Sequence, residues 1–354
     1  MYVLARGIVI VPDSTRWAGP WLGATRAPSL QRVANRPIIC HVLDALAQAG
    51  VAQAAILAPA DVAAEIARCV EAEGPADVAI SHLASAPAGG GGDSLLAAAE
   101  FVGEQPCILH RADGLLGELI LTTAESDDAC APDAVLLVNG APRASGLRLV
   151  SGARRAETTL DPPAPSPVVG ACLLGAGVLA RLSAGRQPHE AIDLATVAER
   201  IAREGGSTQV RLARHWRHFD GDAHDLLDMN RALLDRLDCE ATPSPHDDNH
   251  FEGKISIHPT ARVSSSVIIG PVMIGADAQI SDSYIGPHTS IEERVRVEGA
   301  ELERSIVLAD ASVLHVGSRL VTSIVGRHAR IFRDFSVPRA LRLQVGEGDE
   351  VALC

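Results

Sequence analysis

Residues 257–297 read IHPTARVSSSVIIGPVMIGADAQISDSYIGPHTSIEERVRV, and the spacing of their aliphatic residues decides the fold. Ile257, Val263, Ile269, Ile274, Ile280, Ile285, Ile291 and Val297 follow one another at steps of 6, 6, 5, 6, 5, 6 and 6 residues, with Gly270, Gly275 and Gly286 directly behind three of them. A near-hexad period of this kind is the signature of a parallel β-helix of hexapeptide repeats. Each hexad supplies a short strand and a turn and sends one aliphatic side chain inward. A single coil cannot bury that face, so coils must stack. The period blurs after Val297, and Arg339–Cys354 reads as a terminal cap or tail.

Upstream of the repeat, residues 241–253 are rich in Pro, Asp, Asn and His and carry no apolar period, which marks a linker. The boundaries that follow are an α/β domain over 1–240 and a β-helix over 254–354. Within the first, short aliphatic runs at Gly7–Val11, Ala54–Leu57, Asp77–Ile80, Cys107–Leu109 and Ala134–Val138 read as strands. They alternate with amphipathic stretches at Ile38–Ala49, Val62–Glu73 and Ser94–Val102, the pattern of βαβ units around a largely parallel sheet. Asp222-Ala-His-Asp225, close to a capping box, opens a last helix to about Leu237.

Composition agrees with two domains in 354 residues. A 47% hydrophobic content suffices for packed cores, and no apolar run approaches the ~18 residues of a membrane span. The first residues lack the basic region of a signal peptide and read as a strand, so a soluble, cytoplasmic protein with no membrane partner is expected. Seven scattered cysteines form no CxxC and suggest neither a disulfide framework nor a zinc cage. A formal charge of −13 argues against a nucleic-acid partner. The single lysine of the chain is Lys254.

Specific words then add a resemblance. Gln31-Arg-Val-Ala-Asn-Arg-Pro-Ile38 with the helix after it, Ser94–Gly103, Asp225-Leu-Leu-Asp-Met-Asn-Arg231, Asp282–Ile291 and Ser305–Leu308 together resemble the sugar-1-phosphate nucleotidylyltransferases. The likeness is to the long glucose-1-phosphate thymidylyltransferases. It implies a Rossmann-like nucleotidyltransferase domain followed by a left-handed β-helix, and an oligomer.

The same resemblance implies a reaction in which a sugar phosphate attacks the α-phosphate of a nucleoside triphosphate and expels pyrophosphate. Such chemistry rests on positioning and on cations aimed at the phosphates. In the family these are a Gly-rich loop with an Arg, two lysines, and two carboxylates on Mg²⁺. Here the loop reads Val11-Pro-Asp-Ser-Thr-Arg16: Thr15 and Arg16 remain, whereas Pro12 removes an N–H and Asp13 places a negative charge beside the phosphates. The first lysine word falls on Ala27-Pro28 with Arg26 nearby, and the second on Thr159–Pro162, so neither lysine is present. The first metal carboxylate matches Asp113. The second falls on Phe219, with Asp220 one place later and, in a strand, on the other face. Ser85 takes the base-reading position, and Gly90, within the run Gly89–Gly92, and Gly146 complete the substrate-binding set.

Three readings compete. The first is a diverged relative with ordinary nucleotidyl transfer lost or weak, binding a nucleotide or sugar nucleotide as a regulatory subunit, alone or with an active homologue, or with a repurposed pocket. The second is an active enzyme using Arg16, Arg26, Asp113 and Asp220, with Mg²⁺ required only if catalysis or nucleotide binding is retained. The third is a hexapeptide acyltransferase with His315 as base, against which His315 reads better as structural. The alternation His218, Asp220, Asp222, His224 would suit a transition metal on a strand, but Gly221 breaks the strand and Asp222 caps a helix.

Overall fold

The computed structural model describes residues 5–12, 27–84, 92–115, 132–138, 169–184, 194–213, 216–219, 221–238 and 248–333. The α/β part contains β1 (Arg6–Ile10), a two-residue hairpin of β2 (Arg32–Val33) and β3 (Arg36–Pro37), β4 (Gln53–Ala58), β5 (Ala79–Ala84), β6 (Cys107–Arg111), β7 (Gly114–Leu115), β8 (Ala134–Val138), β9 (Val169–Leu174), β10 (Thr208–Leu212) and β11 (Arg217–His218). Its helices are α1 (Ile38–Gln48), α2 (Ala63–Glu73), α3 (Gly92–Val102), α4 (Val178–Ala184), α5 (Leu194–Arg203) and α6 (Ala223–Leu234).

Seven strands form one sheet in the order β10-β8-β9-β6-β1-β4-β5, parallel except where β9 enters between β8 and β6. Both faces are covered, which is why the strands read as continuous apolar runs. Ile8 and Ile10 face a layer with Leu95, Leu179 and Ile201 of α3, α4 and α5, while Val9 and Val11 face Ile39, Leu43, Ile66 and Met229 of α1, α2 and α6. Cys107 and Cys172 are fully buried, and burial pushes the Cys107 thiol up to about 12.

Several boundaries differ from the expectations. The strand placed at Asp77–Ile80 is β5, Ala79–Ala84, because the polar Ser81 and His82 are tolerated on an edge strand. Strands β9 and β10 are additional to the five strands placed from the sequence. The last helix stops at Leu234, and Asp222 caps it by accepting the His224 N–H at 2.9 Å. The Asp225 N–H donates to the Asp222 carbonyl at 3.1 Å.

The second domain is a β-helix of three parallel five-stranded sheets. Its first face stacks His250–Glu252, Val267–Ile269, Tyr284–Ile285, Glu301–Glu303 and Leu320–Val321. The second stacks Ile255–Ile257, Val272–Ile274, Thr289–Ile291, Ile306–Val307 and Ile324–Val325. The third stacks Arg262–Ser264, Gln279–Ser281, Arg296–Glu298, Ser312–Leu314 and Arg330–Phe332. Inward columns run Ile268-Ile285-Leu302, Ile274-Ile291-Val307 and Ile280-Val297-Val313, and each fully buried member contributes about 1.5–3 kcal/mol. Left-handed backbone at the corners, such as Asp277, Arg294, Asp310 and His328, closes each coil.

Three corrections follow. The inward residue of the Ile268-Ile269 pair is Ile268, with no exposure. The repeat does not fade after Val297. Register partners Val297↔Val313 lie 16 residues apart and Val313↔Ile331 lie 18 apart, so a shortened coil followed by a lengthened one hides a stack that continues to Phe332. The stack also starts inside the stretch read as linker, since His250–Glu252 pairs with Val267–Ile269 and Phe251 packs on the β-helix core. Polar neighbours on either side of one inward Phe conceal that strand. Arg339–Cys354 lies outside the described residues.

The two domains share a seam. Residues Ala34 and Asn35 both have positive φ and turn the β2–β3 hairpin. Asn35 Nδ2 donates to the Ile291 carbonyl at 2.7 Å, and the buried Asn230 of α6 accepts from Ala34 N–H at 2.8 Å while donating to the His288 carbonyl at 3.1 Å. Arg32 reaches Glu292 on the β-helix at 2.5 Å and Glu73 of α2 at 2.7 Å. Glu292 is 2% exposed, and its other oxygen accepts from Ala309 N–H at 2.8 Å. Burial alone would lower the Arg32 pKa, but its hydrogen bonds and charge contacts with Glu73 and Glu292 raise it above the ordinary arginine value. Ile306 of the β-helix belongs to the same apolar cluster as α1 and α6.

Candidate functional site

In an open α/β sheet, ligands bind beyond the carboxyl ends of the parallel strands. Here those ends are Ile10 of β1 and Arg111 of β6, which are register partners, joined further by Ala112 N–H to the Ile10 carbonyl at 2.9 Å. Asp113 sits in the turn from β6 to β7, and its carbonyl accepts from Phe219 N–H at 2.9 Å. Strands β7 and β11 pair antiparallel, Gly114 opposite His218, so the segment around residues 216–219 folds back over the strand end.

The Asp113 carboxylate is wholly buried. Arg111 Nε donates to one of its oxygens at 2.9 Å and Nη2 to the other at 2.6 Å, a bidentate fork. With both oxygens taken and a guanidinium seated in front of them, this carboxylate as placed does not fit a Mg²⁺ ion, which needs oxygen ligands free to face it. Phe219, at the position where the resemblance calls for the second carboxylate, is 1% exposed and packs in the apolar cluster beneath the sheet. Ala27 and Pro28, at the first lysine word, are buried as well, Pro28 opening a short 3-10 turn to Leu30.

Thr15, Arg16, Arg26, Ser85, Gly90, Gly146 and Asp220 lie outside the described residues. Of the residues expected to form the site, the structure therefore positions Asp113. Among the described residues, no three or more His, Cys, Asp or Glu side chains converge on a common point that could hold a metal. Asp222 of the alternating His and Asp stretch is spent on its helix cap. His315, the acyltransfer candidate, is a β-helix corner at φ 52 with Nε2 3.4 Å from Glu298.

Two residues at the strand end were not singled out in the sequence. Trp216 is 1% exposed and lies against Gly114 and Gly170: a Cβ at Gly114 would come within 2.4 Å of its Nε1, and one at Gly170 within 2.7 Å of Cε2. The two glycines are thus the floor that lets an indole lie on the backbone, and the His218 ring covers it with centroids 5.2 Å apart. The available signal was a tryptophan in an aromatic-poor chain, paired with glycines after Asp113 and in β9. His110 is fully buried, its Nδ1 2.6 Å from the Arg111 carbonyl, and Nε2 has no protein partner among the described residues. Burial lowers its pKa to about 4 against the opposing pull of that carbonyl and Asp113, so the imidazole is neutral.

What this arrangement can do is limited by its charges. The described strand end holds the Asp113 carboxylate matched by the Arg111 guanidinium, the buried neutral imidazole of His110, and the Trp216 indole under the His218 ring.

No protein-family model matches the chain. It is 27% identical over 333 residues to a glucose-1-phosphate thymidylyltransferase of Streptomyces griseus, covering 91% of this chain and 92% of the relative. A glucose-1-phosphate thymidylyltransferase of Streptomyces antibioticus is 25% identical over 342 residues, 93% and 94% of the two chains. The low-salt glycan biosynthesis nucleotidyltransferase Agl11 of Haloferax volcanii is 22% identical over 341 residues, 93% and 95%. A crystal structure from Bacillus anthracis, described as a glucose-1-phosphate thymidylyltransferase in complex with sucrose, shares the fold. It superposes with a TM-score of 0.51 at 18% identity over 67% of this chain and 97% of that one. Since the alignments to nucleotidyltransferases run through both the mostly parallel sheet and the β-helix, the comparisons support a sugar-1-phosphate nucleotidyltransferase family for the chain.

Proposed function

We propose that this chain is a nucleotide- or sugar-nucleotide-binding member of the family in which nucleotidyl transfer is lost or weak, serving as a regulatory or partner subunit, alone or beside an active relative. The observation that carries the reading is the Arg111 fork on Asp113: the carboxylate matching the family's metal ligand is neutralised within the protein. Three further features point the same way. Phe219 fills the second carboxylate position with a core side chain, Pro12 and Asp13 replace loop glycines, and no lysine precedes Lys254. Loss of one charge-stabilising group typically costs ~10²–10³ in rate, and several are missing together.

The test is pyrophosphate release by the full chain from dTTP and the other nucleoside triphosphates, with glucose 1-phosphate and Mg²⁺. The expected result is no release above the protein-free control, with dTTP or dTDP-glucose raising the thermal midpoint, because a ligand of the native state must stabilise it. Turnover on the order of 1–10³ s⁻¹ would overturn the reading in favour of a rearranged Arg and Asp catalytic set. Absence of any shift with nucleotides would remove the binding role and leave a repurposed pocket.

A further inference from the structure

Opposite the seam, the corner between the third and first faces of the β-helix carries a groove that the chemistry above does not use. The coils turn this corner through left-handed residues, Asp282 at φ 48, Gly299 at φ 58 and His315 at φ 52. Glu298 is the register partner of Leu314, and Leu302 that of Leu320. Gly299 and Ala300 therefore turn the corner by themselves in one coil, whereas the next coil uses residues 315–318. With the coils before it, that longer turn lines a groove of about 470 Å³. Gly299 is part of the lining, and a Cβ there would come within 2.6 Å of His315 Nδ1.

The walls are polar and already ordered. The Arg319 guanidinium lies over the Tyr284 ring, 4.6 Å from its centroid, and donates to Glu301 at 2.9 Å and to Glu303 at 3.1 Å. Asp282 is exposed, and among the described residues its carboxylate has no hydrogen-bond or ion-pair partner. Tyr284 and Ser318 line the same space and carry hydroxyls.

We propose that this groove is a binding site for a neutral sugar, a pyranose ring free in solution or at the end of a glycan. The carboxylates of Asp282 and Glu301 outnumber the Arg319 guanidinium, which disfavours a phosphate or any other anion. Beside the Tyr284 ring, the wall offers Ala300 and Val316 as its apolar side chains, too little surface for a hydrophobic ligand. Sugar hydroxyls match what is there: they donate to Asp282 in charge-assisted bonds and accept from the Tyr284 and Ser318 hydroxyls. Because Glu301 and Glu303 hold Arg319 in place beforehand, binding does not have to order that side chain. The groove lies in the other domain from Asp113, so the proposal stands or falls separately from nucleotide binding.

The experiment is saturation-transfer NMR on the full chain with glucose, methyl α-D-glucopyranoside, maltose and lactose at millimolar concentration. Transfer to the ring protons of at least one sugar is expected; glucose marks a free sugar, and the methyl glycoside or a disaccharide marks a glycan end. Asp282→Asn keeps the shape and tolerates the left-handed backbone, and exchanging charge-assisted for neutral hydrogen bonds should weaken binding about tenfold. Tyr284→Phe, which removes one hydroxyl, should weaken it roughly fivefold. Both variants keep the parent far-ultraviolet spectrum, and added dTTP leaves the sugar signal unchanged. The proposal is overturned if none of these sugars shows transfer, if both variants bind as the parent does, or if dTTP displaces the sugar.

Discussion

The domain seam and the strand end each bury a carboxylate against an arginine, yet the two pairs sit in opposite settings. At the seam, Arg32 joins Glu73 and Glu292, and every partner comes from a different element: hairpin, helix and β-helix. At the strand end, Arg111 and Asp113 are two residues apart on one segment. The first pair holds domains together. The second satisfies a local carboxylate that would otherwise be free for a ligand. The words that carry the family resemblance, Gln31–Ile38 and Asp225–Arg231, meet at the seam through Ala34 and Asn230. At the strand end the described departure from the family pattern is Phe219, whose N–H donates to the Asp113 carbonyl at 2.9 Å.

Removing the arginine from either pair breaks the comparison most directly. Arg32→Met leaves Glu292 buried and uncompensated, and Arg111→Met does the same to Asp113; each is expected to cost about 3–5 kcal/mol in urea unfolding. The variants should then part company. Arg111→Met frees both Asp113 oxygens, so Mg²⁺ is expected to raise its thermal midpoint, whereas Arg32→Met should not respond to Mg²⁺. A Mg²⁺ response in the unaltered protein equal to that of Arg111→Met would refute the idea that the fork blocks the ion.

A pH titration sharpens the strand end next. His110 has a folded pKa near 4 against an ordinary 6.5, so the unfolded chain takes up a proton that the folded one refuses. Stability is fully present above pH 6.5 and falls as the pH drops from there to about 4, by about 3 kcal/mol in all. Replacing His110 with Met should flatten that part of the profile; an unchanged slope would assign it elsewhere, for instance to His41, whose pKa burial also lowers.

The smallest expected effect is at the glycine floor. Gly114→Ala forces a Cβ to 2.4 Å from Trp216 Nε1, and overpacking of this kind costs about 1–3 kcal/mol. Near-ultraviolet dichroism of the displaced indole should change while the far-ultraviolet spectrum stays as before.

Much of the fold was legible because hydrophobic periodicity is a local property. Ala134–Val138 is found where the apolar run placed it, and the Asp222 cap where the side chain could reach the next turn. The β-helix was legible for the same reason, until a 16-residue and an 18-residue coil broke the count and an Ile pair masked the inward member. The site was less legible, since its properties depend on pairs. Nothing local announces that Trp216 lies on Gly114 and Gly170, or that Arg111 turns its fork onto Asp113 instead of outward.

The sequence by itself determined two architectures in one acidic chain and an α/β domain without lysine, because composition and period survive unfolding. Only the tertiary structure decided where the remaining charges act. Lys254, the one lysine, donates from the first coil of the β-helix to the Asp235 carbonyl at 3.1 Å, at the C-terminal end of α6, where a cation complements the helix dipole. That position is a docking contact of the seam, formed only when coil and helix are brought together by packing far apart in the chain.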